Sequence, residues 1–361
     1  MKTANNLRAH YSTVIVGAGP AGSTLARRLA SKEKDILLID GGALRGEKVC
    51  AGLISPDAQD LLARYDITLP GTVLSSPQIF SVRTIDLATH QTRHYRRSYI
   101  NIDRAKFDAF LLSLVPDTVD IVPALCLRAE REENGFSLVL KTRDVEKKVF
   151  CDRLVGADGA SSVIRKCLFP NKKVKRYVAI QQSFAAETED PYYSCVFDSA
   201  TSPSCSWIFF KDGMLVFGGA FENRNPREAF EAQKAKLVSL GTVSEKIFKS
   251  PIKTQACTVL RPKLSGGMFT GAGGAFLIGE AAGFISPSSL EGISYALASA
   301  EALFEAFSHA EGSRQAQHLY KCKTFKLRLK IGLKCLKRPF MYDPLLRRLI
   351  LASGIGSIKI K

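Results

Sequence analysis

The feature that most constrains this chain is a glycine turn with an apolar run on either side. Thr13–Val16 (TVIV) leads into Gly17-Ala-Gly19-Pro20-Ala21-Gly22, and Leu25, Ala26, Leu29 and Ala30 follow at helical spacing. A second apolar run, Ile36–Ile39, then ends at Asp40 and Gly41. Strand, turn, helix and strand in that order make a βαβ unit, which requires a parallel sheet and a right-handed crossover. In such a turn Gly17 permits the tight bend, and Gly19 lets the backbone approach a diphosphate without a Cβ in the way. Gly22 allows the helix to pack closely on the sheet. Pro20 and Ala21 stand at the start of the helix, where free N–H groups and the positive end of the dipole favour phosphate. Asp40, eighteen residues after Gly22, is placed to accept the hydroxyls of an adenosine ribose.

The turn alone does not choose between NAD and FAD. Two later segments repeat its design: Val155-Gly-Ala-Asp158-Gly159-Ala-Ser-Ser162-Val-Ile-Arg165, and Phe276-Leu-Ile-Gly279-Glu280-Ala-Ala-Gly283 with SPSSLEGISYA after it. With Asn101-Ile-Asp-Arg104-x-x-Phe107-Asp, they resemble the ordered fingerprints of the glutathione-reductase-type flavoproteins. The resemblance is to the flavin hydroxylase and geranylgeranyl reductase branch, and it spans residue 12 to about 310.

It implies FAD as cofactor, with Asp158 and Gly159 near the pyrophosphate, Glu280 of the Gly279 turn on the ribityl chain, and Arg104 beside the cofactor. The N-terminus of the helix opening at Gly292 and Ile293 would point at the flavin pyrimidine. Two residues depart from the pattern: Glu280 replaces the usual Asp, and Leu290 replaces the first Gly of GEGI.

Two further segments are similar to geranylgeranyl reductases in particular. Lys48-Val-Cys50-Ala51-Gly52-Leu resembles a KPCGGG segment that passes the flavin, with Val49 and Ala51 for Pro and Gly. Cys205-Ser-Trp207-Ile-Phe-Phe210-Lys211 resembles YxWxFPK, which implies that Trp207, Phe210 and Lys211 line a substrate cavity. A thiol at Cys50 beside a flavin can donate a proton, tune the ring or form an adduct; it can equally be a small apolar filler. Trp207, the single tryptophan, has the parallel alternative of a core residue in a sheet.

The fold class expected is α/β: a Rossmann-like FAD/NAD(P)-binding domain interleaved with an antiparallel β-sheet substrate domain, followed by a C-terminal helical tail. The first would take residues 1–75, 100–168 and 268–310, the second 76–99 and 169–267, and the tail 311–361. Between about 170 and 265 the chain reads as a series of short strands.

The implied reaction is hydride transfer from reduced FAD to a C=C bond of a lipid-like polyprenyl substrate. NADPH or a reduced ferredoxin or flavodoxin would be the electron donor. A flavin monooxygenase working through a C4a-hydroperoxide on an aromatic or peptide substrate would share the fold and fingerprints, and so would a flavin-carrying protein without turnover.

Charge is the unusual bulk property. Lys and Arg number 51 against 34 Asp and Glu, a net +17, and from Lys321 to Lys361 twelve basic residues face one acid, Asp343. Cys322, Phe325, Leu329, Leu333 and Leu336 lie among these cations at three- and four-residue spacing, which suits a helix, although residues 325–333 also alternate. The expected partner of such a tail is an anionic membrane surface; the alternative is a plain solvated face. Nucleic acid is not expected, because no stacking platform accompanies the charge.

No run approaches the roughly 20 apolar residues needed to cross a bilayer, and the first eleven residues lack an apolar core for a signal peptide. Nine unpatterned cysteines suit a reducing compartment, so the cytoplasm is the default. No metal site is expected: His90 and His94 lie in an alternating segment where a four-residue spacing does not bring side chains together.

Overall fold

A computed structural model describes residues 7–45, 48–143, 145–186, 192–264 and 266–359. The first six residues, and with them part of the N-terminal segment considered for a signal peptide, lie outside the described residues.

Among the described residues two eight-stranded sheets organise the chain. In the first, His10–Val16 lies between Ile36–Asp40 and Glu146–Gly156, parallel to both, with Val14 opposite Leu37 on one side and Leu154 on the other. Ala275–Leu277 joins parallel to Glu146–Gly156, and Asp120–Pro123 parallel to Ile36–Asp40. The short Gly271–Ala272 strand pairs with Ala275–Leu277, and a meander of Leu125–Glu132 and Gly135–Lys141 runs onto Glu146–Gly156. Val14, Ile15, Ile36, Leu37, Leu38, Leu154 and Val155 are all fully buried, the unbroken apolar character of strands covered on both faces. Helices Pro20–Leu29 and Ile293–Ser308 belong to the same core, through Leu25, Ala26, Ala300 and Leu303.

The second sheet runs Lys253–Leu260, Arg176–Ala185, Met214–Phe221, Ser206–Lys211, Tyr192–Phe197, Ile79–Asp86, Gln91–Asn101, Leu53–Ile54. It is antiparallel except where Tyr192–Phe197 runs alongside Ile79–Asp86. Its two faces follow the two-residue period of a strand. Trp207 and Phe209 point to one face, with Tyr177, Ala179 and Val216, where Val49, Ala160 and Ile285 come down from the first sheet's connections. Ile208 and Phe210 point to the other, with Phe184, Phe217, Phe230, Leu237 and Phe248.

That second face differs from the expected run of strands. A 14-residue helix, Pro226–Ser239, covers it in the stretch read as strands alone. Its inner positions are Phe230, Gln233, Lys234 and Leu237, so two of the four residues at helical spacing are polar and the apolar period is half erased. Each polar group is satisfied: Gln233 accepts from Ser206 Oγ at 2.6 Å, and Lys234 donates to Gln182 Oε1 at 3.0 Å.

After Ser308 the chain forms three more helices, Ser313–Lys323, Phe325–Tyr342 and Pro344–Ser353. The alternation of residues 325–333 is therefore helical. A buried ion pair fastens the last helix to the second sheet: Arg347 Nε and Nη2 donate to Asp86 at 2.8 and 2.9 Å. Burial by itself would raise the Asp86 pKa, but the Arg347 hydrogen bonds and the Ala88 N–H hold it below the usual carboxylate range. Among the described residues no helix is long and apolar enough to cross a membrane.

Removing one partner of a buried pair strands the other charge, at a cost of about 3–5 kcal/mol. Arg347→Ala is therefore expected to lower the unfolding free energy by about that amount in denaturant titrations. Because the folded pKa of Asp86 is depressed, the stability tied to it is present above the unfolded value and fades as pH falls through the folded one. The gap between wild type and variant should narrow in acid.

Candidate functional site

The glycine turn is built by contact rather than by flexibility alone. Gly17 sits at φ +109°, and a Cβ there would lie 2.5 Å from Ala157 O; a Cβ on Gly22 would lie 1.8 Å from Gly17 O. The three backbones are thus stacked on one another, which joins the first fingerprint to the second. Gly19 is different: nothing lies within 4 Å of a Cβ placed on it. It is the N-cap of Pro20–Leu29, a ten-residue helix with no side-chain cap and no acid in its first turn. The helix end therefore keeps free donors and an uncompensated dipole over an open cradle.

The cradle's neighbours converge from separate strands. Asp40 ends Ile36–Asp40, and its Oδ1 accepts the Gly42 N–H at 2.9 Å. Asp158 Oδ2 accepts from Val163 N at 2.6 Å, while its Oδ1 is buried without a hydrogen-bond partner. Burial raises the Asp158 pKa against the pull of Ser162 and the Val163 and Ile164 amides. Gly159, at φ +73°, also faces open space.

The third fingerprint is tied to the second by Arg165, whose guanidinium is almost wholly buried. Its Nη1 donates to Ala281 O at 2.7 Å and Glu280 O at 3.4 Å, and its Nη2 to Ala160 O. The Glu280 side chain departs from what its motif implies. Oε1 accepts the Leu260 N–H at 2.9 Å, and Oε2 is paired with Lys48 Nζ. The extra methylene carries the carboxylate to the second sheet and to the 48–52 segment. Leu290 adopts φ +55°, the left-handed conformation that explains a glycine in the pattern. Gly292 caps Ile293–Ser308, and Glu291 takes the Ser294 N–H at 2.8 Å, so one donor of that helix end is already used.

Lys48–Gly52 passes between these turns and the second sheet. Cys50 Sγ accepts the Gly52 N–H at 3.4 Å. Arg104 interacts with it from the start of Arg104–Ser113, with Nε held by Asp108 Oδ1 at 2.8 Å. Burial works against the Arg104 charge, but Asp108 and Cys50 together raise its pKa above the ordinary arginine value. From the second sheet Lys211 Nζ donates to Ala51 O and Ile102 O, both at 2.7 Å. Gly52, at φ +69°, admits this: its Cβ would lie 2.4 Å from Lys211 Nζ. Burial lowers the Lys211 pKa to about 8.

The wall opposite is apolar. Trp207 lies over Gly218, where a Cβ would come within 2.5 Å of its ring, and donates Nε1–H to Gln181 Oε1 at 3.0 Å. Tyr193 packs on Phe209 at 5.7 Å and Tyr99 on Tyr193 at 5.8 Å between centroids. Trp207 and Lys211 thus share the face that meets the 48–52 segment. Phe210 does not: it points into the helix-covered face, because an adjacent residue in a strand faces the other way. That removes it from the expected lining. Arg165, Lys48 and Gly218 are the contributors that motif reading assigned no part. Gly218 follows Phe217 in a strand that reads as ordinary, and only the Trp207 ring above it shows why a side chain is excluded.

The fold is that of the FAD-dependent oxidoreductases with a Rossmann-like dinucleotide-binding half. A geranylgeranyl bacteriochlorophyll reductase-like protein from Thermoplasma acidophilum superposes with a TM-score of 0.75 at 20% identity, over 94% of this chain and 90% of that one. Klebsiella pneumoniae HpxO, in a point-variant form complexed with FAD, gives 0.69 at 15% identity, over 95% and 94%. No family model matches the chain. Protein CbrA of Shigella flexneri serotype 5b is 43% identical over 354 residues, 97% of this chain and 95% of its own length. Protein CbrA of Escherichia coli O157:H7 is 42% identical, over 97% and 98%. The chain belongs to the CbrA family.

Two consequences can be measured on the protein itself. Gly19→Ala places its Cβ in open space at an ordinary φ, so its melting should stay within about 0.5 kcal/mol of wild type. Gly22→Ala must push the Gly17 carbonyl away and should cost about 3 kcal/mol or more. For Lys211 the folded pKa lies below the ordinary lysine value of 10.5. Its burial penalty is therefore present in full below pH 8 and relieved as pH rises toward 10.5. Lys211→Met should be more stable relative to wild type at about pH 7 than at about pH 10, in parallel denaturant titrations.

Proposed function

We propose that the protein binds FAD and uses it to reduce C=C bonds of a polyprenyl-type lipid. Support for FAD comes from the chain's own residues: an uncapped helix end over the open Gly19 cradle, Asp40 at the next strand end, and the unpartnered Asp158 Oδ1. Gly17, Gly19 and Gly22 with the helix end would hold the pyrophosphate, Asp40 the ribose, and the Gly279–Gly283 turn with Gly292 would flank the flavin end. When bound, FAD supplies the hydride, taken in turn from NADPH or a reduced ferredoxin or flavodoxin.

The observation that carries the lipid reading is the sheet face opposite these turns: Trp207 over Gly218, with Phe209 and Tyr193, facing Val49, Ala51 and Ile285. An apolar face there would suit a hydrocarbon chain and exclude water. The polar groups beside it are few. Cys50 Sγ, under the influence of Arg104 and Lys211, would hold and deliver the proton that C=C reduction requires. Lys211, with a pKa of about 8, can restore that proton near neutral pH.

The test is anaerobic: the purified yellow protein is reduced with NADPH or dithionite and given a polyprenyl diphosphate. Reoxidation of the flavin together with gain of one H2 per reduced bond in the lipid's mass is expected. A reduced flavin indifferent to the lipid, with a hydroxylated product formed only in oxygen, would replace this reading with a monooxygenase. Cys50→Ala should lower kcat by about two to four orders of magnitude while FAD content is unchanged, and Gly19→Ala should lower FAD content without altering the apoprotein's melting.

A further inference from the structure

Phe325–Tyr342 reverses the usual arrangement of a surface helix. An amphipathic helix in a globular protein turns its apolar stripe to the core. Here Phe325, Leu329, Leu333, Leu336 and Phe340 are each more than half exposed. At about 100° per residue they fall within about 80° of arc. The helix is held to the body from its opposite side: Ile331 is fully buried, Cys335 Sγ donates to Pro262 O at 3.6 Å, and Tyr342 Oη donates to Ser288 O.

Lys326, Lys330, Lys334 and Lys337 each follow one member of the stripe, so they line one flank, about 100° further round. Lys330 is paired with Asp57; Lys326 and Lys337 are exposed. No acidic residue occurs between Phe325 and Tyr342.

We propose that this helix is an interfacial anchor that lies in the plane of an anionic membrane surface, its Phe/Leu stripe among the acyl chains and its lysine flank at the headgroups. Charge complementarity selects the occupant. A second copy packed stripe to stripe would set lysine flanks near each other with no acid in the helix to answer them. A nucleic acid would use the lysines but leave five large apolar side chains in water. A lipid surface satisfies both at once, since apolar insertion and attraction to anionic headgroups add. The inference rests on the exposed face and not on the reaction assigned to the site.

The test is flotation of the FAD-loaded full chain with vesicles of phosphatidylcholine alone or with phosphatidylglycerol added, at low and high salt. Co-flotation with the anionic vesicles at low salt, weakened by salt, is expected. Lys326→Gln with Lys337→Gln should weaken partitioning by about fivefold per lysine. Lys172→Gln with Lys173→Gln, the same charge change at exposed body positions, should do much less. Leu329→Gln, Leu333→Gln and Leu336→Gln combined should release the protein by an order of magnitude or more, with melting and FAD content unchanged.

Three results would each overturn the proposal. One is absence of wild-type flotation with anionic vesicles at low salt, with or without binding to duplex DNA. Another is equal loss in the two lysine pairs. The third is a wild-type dimer that the triple variant converts to monomer without change in flotation. None of these readouts requires turnover, so the proposal and the assigned reaction fail separately.

Discussion

The site depends on a close approach of three backbones that only hydrogen permits. Gly22 sits on the Gly17 carbonyl and Gly17 on the Ala157 carbonyl, so the first strand, its helix and the Glu146–Gly156 strand are locked at one point. Arg165 extends the lock: one buried guanidinium holds carbonyls of both the 160 and the 280 turns. Segments separated by more than a hundred residues thereby meet at a single helix end. That geometry fixes where a diphosphate would lie.

The nucleotide half was legible because its determinants are local. A strand buried on both faces, a glycine turn and a helix of short residues occupy fewer than thirty consecutive positions, and each states its own requirement. Most strands of the second sheet were legible for the same reason, through their two-residue period. Pro226–Ser239 was not. Its buried Gln233 and Lys234 are satisfied by Ser206 and Gln182, partners some twenty-seven and fifty-two residues away, and a pattern based on hydrophobicity cannot anticipate polar residues stabilised at that distance. The tail posed the opposite problem. Its spacing declared a helix, but spacing does not say which way a stripe faces; that is decided by Ile331, Cys335 and Tyr342 docking on the far side.

The Trp207–Lys211 strand shows how little a motif says about direction. Trp207, Phe210 and Lys211 come from one short segment, and a resemblance treats them as one group. A strand sends neighbours to opposite faces, so Phe210 belongs to the core under Pro226–Ser239 while Trp207 and Lys211 look toward the 48–52 segment. Gly218 is the unannounced partner: by omitting a side chain it gives the indole a flat bed. The Gln181 side-chain oxygen then accepts from the one polar atom of that ring.

The two departures from the fingerprint have separate physical consequences. Leu290 occupies a left-handed conformation, at a cost of about 1–2 kcal/mol for a residue with a Cβ. Its side chain packs against the Trp207 cluster, which offsets part of that cost and adds an apolar group to the wall. Glu280 is long enough to reach both the Leu260 amide and Lys48. It therefore couples the third fingerprint to the second sheet and to the segment bearing Cys50. Its charge is matched by Lys48, and Glu291 meets part of the dipole of Ile293–Ser308. The cations that act on Cys50 are Arg104, itself held by Asp108, and Lys211, whose charge burial disfavours. Arg104 reaches the thiol from the helix that begins at Arg104 and Lys211 from the second sheet, so both halves of the fold act on the 48–52 segment.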